Sequence, residues 1–258
     1  MSPEELLAAW HAQQTAFIEF RDQRVRAMLE VLAAVKPQDR PLRVLDLGCG
    51  PGSLCDAVAD RFPDAEVVGV DRDPILLRLG RDTNRHGERM RLVDLDLADP
   101  GWAQQLGPER FDAAVSATAL HWLSPAELAA LYVALPQVLN PGGVFLNADH
   151  LYFDDTAESF LREVAETERE RFRLSAIEAG AMTWDAWWDA ARSMPGWEAE
   201  AREWERRWAD KSPTVKVSLE FHLSALRAAG FVETSHIYLS LSHIYRWFDD
   251  VVVFARLP

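Results

Sequence analysis

Three glycines fall within five positions at Gly48-Cys49-Gly50-Pro51-Gly52, directly after the apolar run Val44-Leu45-Asp46-Leu47. Such a run reads as a strand buried on both faces. Glycine loses more backbone entropy on folding than any other residue, so a cluster is kept where the chain must turn sharply or let a ligand touch main chain. A tight strand-to-helix turn and a nucleotide cradle are both open readings at this point. Asp71 favours the second. It ends the next apolar segment, Glu66-Val67-Val68-Gly69-Val70, at roughly the 20-residue separation where a carboxylate accepts both hydroxyls of a ribose. A carboxylate at a strand's C-terminal end beside a glycine turn is poorly explained as packing.

The elements that must hold these residues alternate. Residues 4–35 carry apolar positions at helical spacing and read as two helices, closed by Lys36-Pro37 and Arg40-Pro41. Leu54 to Arg61 reads as a helix with Ser53 as N-cap, and Asp73-Pro74 opens another through about Asn84. Arg89 to Leu95 and Phe111 to Ser116 read as strands three and four. Ser124-Pro125-Ala126-Glu127 is a capping-box pattern that starts a helix to Leu139; Asn140 to Gly143 is a tight turn, and Val144 to Ala148 is strand five. Short apolar strands alternating with helices imply parallel pairing and right-handed crossovers.

The regularity breaks after strand five. Residues 151–213 are helical in pattern and charged, and hold six of the ten tryptophans. Either this is an insertion with its own small core or a lid over the C-terminal edge of the sheet; its place after a strand's C-terminal end favours the lid. A helix follows from Ser218 to Gly230. Phe231 to Leu241 and Asp250 to Ala255 are two last strands whose connection is too short for a helix, so they pair antiparallel. The expected fold is α/β: a doubly wound, Rossmann-like, seven-stranded, mostly parallel sheet with an antiparallel last strand and a helical Trp-rich cap. Residues 1–40 form an N-terminal helical segment over the site, 41–150 with 214–258 the α/β domain, and 151–213 the cap.

Composition narrows the partners. With 258 residues and a formal net charge of -14, the chain is too acidic for a broad nucleic-acid surface, and a membrane-surface role is disfavoured likewise. No apolar run approaches the roughly 18 residues of a membrane span, and the first residues lack a basic, then apolar, leader pattern, so the cytoplasm is the expected location. Cys49 and Cys55 are too close to staple separate parts of a fold and form no C-x-x-C pair; both read as reduced and structural, and no metal is expected. Oligomeric state is open.

The order of motifs resembles the class I S-adenosylmethionine-dependent methyltransferases: Val44 to Leu54, Asp71 after the second strand, Asp96 after the third, Ala117 to Leu123, Leu139-Asn140-Pro141-Gly142-Gly143, and a final hairpin. Within that superfamily, Phe17 to Arg26 and Ala119-Leu120-His121-Trp122-Leu123 look like the trans-aconitate methyltransferase group of small-molecule enzymes. That group commonly has Tyr where this chain has Phe17, and Gln where it has His121. The resemblance implies S-adenosylmethionine as cofactor and S-adenosylhomocysteine as product. It sets the methionine part against Gly48, Gly50 and Gly52, with Asp46 near the ammonium. Asp71, followed by Arg72, would take the ribose. Asp96 and Leu97 would take the adenine, and Ser116 and Ala117 would present carbonyls near the sulfonium. Arg24 would reach a carboxylate.

Methyl transfer is an in-line displacement, so the protein's task is positioning, plus removal of a proton where the nucleophile carries one. His121 is the first candidate base, since an unperturbed imidazole titrates near pH 6.5; its alternative role is a pocket wall that orients substrate or Trp122. His150 and Tyr152 stand in reserve. Phe17, His121, Trp122, His150 and Tyr152 make up the expected substrate pocket. Two other functions share these features: a nicotinamide-dependent oxidoreductase, disfavoured because Ser53 stands where its third glycine belongs, and a cofactor-binding protein that transfers no methyl group.

Overall fold

The computed structural model describes residues 1–18, 20–151, 158–209, 217–237 and 250–258, without the side chains of His150 and Asp250. Seven strands form one sheet: β1 (Arg43–Leu47), β2 (Glu66–Asp71), β3 (Met90–Asp94), β4 (Phe111–Ala117), β5 (Leu139–His150), β6 (Glu233–Ile237) and β7 (Asp250–Arg256). Their order is β3-β2-β1-β4-β5-β7-β6, with β7 antiparallel to both its neighbours and every other pairing parallel. The order reverses between β1 and β4, and a crevice opens at such a switch point beyond the strands' C-terminal ends.

The helices are α1 (Pro3–Phe17), α2 (Arg21–Val35), α3 (Ser53–Arg61), α4 (Pro74–Asp82), the short α5 (Trp102–Gln105), α6 (Pro125–Val138), α7 (Ser159–Glu178), α8 (Trp184–Arg192), α9 (Glu198–Trp208) and α10 (Leu219–Ala228). One core holds Leu128, Leu131 and Leu135 of α6 with Leu223 and Leu226 of α10; the other holds Met28 and Leu32 of α2 with Cys55 and Val58 of α3. The strands between them are buried on both sides, which accounts for their near-continuous apolar sequence.

Two local expectations change. Helix α3 begins at Ser53 itself, and Gly52 is its N-cap in the left-handed region (φ 88°). The chain leaves the glycine turn one residue sooner than the serine pattern suggested, so the Ser53 hydroxyl lies inside the first turn and caps nothing. Asn140 to Gly143 is not a separate turn but part of β5. The register against β4 shifts between Phe111 and Ala113, so the extra residues are absorbed as an irregularity and pairing continues.

The tryptophans of the insertion do not make a core of their own. Trp187, Trp188 and Trp197 join Leu6 and Trp10 of α1 and Ile75, Leu76 and Leu79 of α4 in one cluster. The indole N–H of Trp187 donates to the Leu6 carbonyl at 3.2 Å, and its ring lies 4.7 Å from that of Trp10. Helix α9 is tied to the sheet side: Arg78 pairs with Glu200 at 2.9 Å, Arg207 with Asp94 at 2.6 Å, and the Trp208 indole donates to Asp73 at 3.1 Å. Among the described residues no helix is long and apolar enough to cross a membrane.

Candidate active site

A cavity of about 970 Å³ opens at the switch point, between the ends of β1, β2 and β4 and helices α1, α2, α8 and α9. Its floor is the glycine turn. Gly48 has φ 73°, and a Cβ there would stand 2.5 Å from the Cβ of Ala119, so glycine is required on both backbone and space. The amides of Gly48 and Cys49 both donate to the Val70 carbonyl, at 2.8 and 3.0 Å, which locks the turn to the end of β2.

Three carboxylates stand beside that turn. Asp71 accepts from the amide of Gly50 at 2.7 Å and from that of Asp73 at 2.8 Å, so its oxygens are held in one orientation. Loss of hydration raises its pKa, with those amides pulling the other way. Asp73 caps α4, accepting from Ile75 and Leu76 at 3.0 Å each. Asp46 is fully buried; the thiol of Cys55 donates to its Oδ2 at 3.2 Å, and its Oδ1 has no hydrogen bond among the described residues. Lost hydration pushes Asp46 up to about 7, and Asp73 likewise to about 7 with Asp71 adding to it. The two cysteines are free and buried, and burial pushes the Cys49 thiol up to about 11.

The raised Asp46 has a consequence for stability. The unfolded carboxyl ionises near its ordinary 3.8, whereas the folded one keeps its proton until about 7. Between those pH values the folded state binds more protons than the unfolded, so stability falls as pH rises through the window and levels off above it. Melting the cofactor-free protein from pH 4.5 to 8 is expected to show Asp46→Asn losing part of that slope. At pH 8 it is more stable than the parent by about 1–3 kcal/mol, and at pH 4.5 it is close to it.

At the far side of the switch point, β4 runs into a tight turn over Leu120–Trp122 that presents His121. The buried Asp149, at the end of β5, accepts from the backbone N–H of His121 at 3.1 Å and lies 2.7 Å from its Nδ1. A carboxylate that holds both the main chain and the ring fixes the imidazole's orientation and puts the proton of the neutral ring on Nδ1, with the lone pair on Nε2. His121 also stacks beside Trp122, with centroids 5.5 Å apart. His222 is buried against Tyr132, whose hydroxyl lies 2.6 Å from its Nδ1; burial pushes this histidine down to about 4, so it is neutral at physiological pH.

One wall of the cavity is aromatic. Trp10 neighbours Trp184 at 6.1 Å, Trp184 neighbours Trp188 at 5.7 Å, and Trp188 neighbours Trp204 at 5.2 Å. Trp204 in turn neighbours Trp208 at 6.5 Å, and Trp208 neighbours Trp122 at 5.8 Å. On the α1–α2 side the lining includes Arg21, Arg24, Asp22 and His11, whose pKa is lowered by burial and by Arg21. Arg24 is buried, and burial lowers the pKa of Arg21.

A family model described as "Methyltransferase domain" matches residues 44–143. A trans-aconitate 2-methyltransferase of Methylobacterium nodulans is 32% identical over 192 residues, which cover 72% of this chain and 69% of that protein. The chain belongs to the class I S-adenosylmethionine-dependent methyltransferases. It is related there to the trans-aconitate methyltransferase group. The enzyme of that name from Rhodopseudomonas palustris strain BisB18 is 31% identical over 66% of this chain, which spans only 61% of that relative's length. The solved structure of the CurJ carbon methyltransferase superposes with a TM-score of 0.62 at 14% identity, over 99% of this chain and 61% of that one, a likeness of fold. S-adenosylmethionine is the cofactor of this family, and the site fits it: Asp46 offers a buried carboxylate oxygen in need of a donor, and Asp71 a carboxylate already aimed by two amides.

Of the residues singled out from sequence, Phe17, Arg24, Asp46, Gly48, Gly50, Asp71, Ala117, His121 and Trp122 line this cavity. Gly52, Arg72, Asp96, Leu97 and Ser116 do not. The Ser116 hydroxyl donates to the Leu47 carbonyl at 2.7 Å, and Leu97 packs against the core. Arg72 pairs with Asp96 at 3.0 Å and lies over the Trp208 ring at 5.2 Å, so the ends of β2 and β3 are engaged with each other and with α9. The side chain of His150 and all of Tyr152 lie outside the described residues.

Gly52 serves packing rather than the cavity. A Cβ there would come 2.5 Å from the Met90 methyl, at a φ that L side chains rarely adopt. Gly52→Ala is therefore expected to cost about 1–2 kcal/mol in a denaturant titration, the usual penalty for a Cβ in the left-handed region.

Sequence reasoning missed Asp149 and Arg21. Asp149 had a usable signal, since it is an acid at the C-terminal end of a strand just as Asp71 is. Arg21 had none, because a surface arginine and a half-buried one look alike in a helical sequence.

Proposed function

We propose that this chain transfers a methyl group from S-adenosylmethionine to a small-molecule acceptor. The observation that carries the reading is the placement of Asp46 and Asp71 in one cavity with a histidine held by a buried carboxylate. S-adenosylmethionine, when bound, supplies a methyl group activated by its sulfonium and leaves as S-adenosylhomocysteine. Gly48 and Gly50 admit the cofactor to the main chain, Asp46 holds its ammonium, and Asp71 holds its ribose hydroxyls. Arg24 and Arg21 answer a carboxylate, on the cofactor or on the acceptor. Ala117 borders the reacting end. The ion-paired Arg72 and Asp96, with Leu97 behind them, close the nucleoside end. Helices α1, α2 and α7 to α9 act as the cover, excluding water from the reacting atoms, and His121, oriented by Asp149, takes a proton from the acceptor. His150 and Tyr152 remain second candidates for contacts with the acceptor.

Isothermal titration of the intact chain with S-adenosylmethionine and S-adenosylhomocysteine tests this reading. One saturable site for each is expected; a native chain that binds neither overturns it.

A further inference from the structure

The aromatic wall and the histidine at its end make a composite site. The rings run without a break from Trp10 through Trp184, Trp188, Trp204 and Trp208 to Trp122, at spacings typical of stacked and edge-on aromatic pairs. Trp184 and Trp122 are 45% and 43% exposed although they line a cavity, whereas Trp187, which faces away into the core cluster, is fully buried. Indoles this exposed on a cavity wall keep part of their ring surface for a ligand. The file ends on His121, whose ring adjoins Trp122 and whose Nδ1 is engaged by Asp149.

We propose that the acceptor is a flat aromatic hydroxyl compound, a phenol extended by further rings, which lies along this wall with its hydroxyl at Nε2 of His121. This rests on the methyl-transfer reading above. Two independent features support it. First, a carboxylate nucleophile carries no proton at neutral pH and has no use for a base, whereas a base held by a buried acid suits a nucleophile that must lose one. A phenol, with an ordinary pKa near 10 as in tyrosine, is within reach of an imidazole. Second, a run of six indoles with His121 beside its last ring offers flat area to a flat ligand and places a polar group at that end to orient it. In the step, the hydroxyl oxygen uses its own electron pair to form the new carbon–oxygen bond. The carbon–sulfur bond breaks with its pair left on sulfur, and the hydroxyl proton passes to Nε2 and then to solvent. Nothing is oxidised or reduced.

The test uses phenol, 2-naphthol and 7-hydroxyflavone, with flavone lacking the hydroxyl and trans-aconitate as the carboxylate comparison. Quenching of tryptophan fluorescence reads binding without cofactor, the absorption band of the ionised hydroxyl reads proton removal, and mass spectrometry with S-adenosylmethionine reads transfer. Affinity is expected to rise at least about tenfold from phenol to 7-hydroxyflavone, and Trp184→Ala and Trp122→Ala each to lower the latter about tenfold. Both variants should titrate with S-adenosylmethionine as the parent does. His121→Gln should lose the ionised band of bound 7-hydroxyflavone while binding flavone as the parent does. A chain that binds S-adenosylmethionine but neither binds nor methylates any of the three phenols overturns the proposal and leaves the methyltransferase reading standing. So does methylation of trans-aconitate alone, or phenol binding that ignores both tryptophan substitutions. A chain that fails to bind S-adenosylmethionine overturns the reading beneath it.

Discussion

Asp71→Ala is expected to weaken S-adenosylmethionine binding by a factor of about one hundred or more. The carboxylate is fixed by the amides of Gly50 and Asp73 before any ligand arrives, so little ordering cost is left when it accepts hydrogen bonds from a ribose. Two hydrogen bonds to a charged acceptor are worth about 1.5–3 kcal/mol each, and a hundredfold change corresponds to about 2.7 kcal/mol. Truncation also releases the two amides, and with them the geometry of the glycine turn. Isothermal titration below the variant's melting temperature, checked by circular dichroism, separates lost recognition from lost folding. A folded variant that binds as the parent does would remove Asp71 from the site.

The second large effect concerns the histidine and its acid. His121→Gln is expected to lower kcat by about 10²–10³ for an acceptor that must lose a proton, the usual contribution of a positioned base. Asp149→Asn should fall in the same range, because an amide can present its N–H to Nδ1 and turn the ring to the wrong tautomer, as happens when the acid of a hydrolase triad is replaced. The two residues act as a unit, so the double variant should be little worse than either single one. S-adenosylmethionine titrations are the control: affinities within about twofold of the parent assign the loss to proton removal. A carboxylate acceptor should be nearly indifferent to both changes. Additive losses would mean that Asp149 acts on something other than His121.

What could be read in advance followed the backbone. The glycine turn, the strand-end acid and the alternation of elements are local patterns with one physical cause each, and they led to the β1-to-β4 switch point and to some of the residues that line it. Where local pattern misled, the reason was register: Ser53 looked like a cap but lies one residue inside the helix, and Asn140 to Gly143 looked like a turn but is carried along by pairing with β4. The use of the tryptophans also depended on neighbours. Their number announced an apolar surface, but whether they packed on one another, on α1 and α4, or on a ligand is a question of which helix docks where.

By itself the sequence determined the sheet and the family, and named some of the residues that line the cavity, because these depend on backbone geometry, apolar periodicity and motif order. Only the tertiary structure decided that Asp149 holds His121, residues 28 positions apart, that Arg72 and Asp96 pair beneath Trp208, and that six indoles from four separate segments form one wall. Those contacts join strand ends and helices distant in the chain, and no local spacing rule links them. Gly48 and Gly50 floor the cavity by local backbone geometry; the pairing of β5 beside β4 and the docking of α8 and α9 build its opposite side.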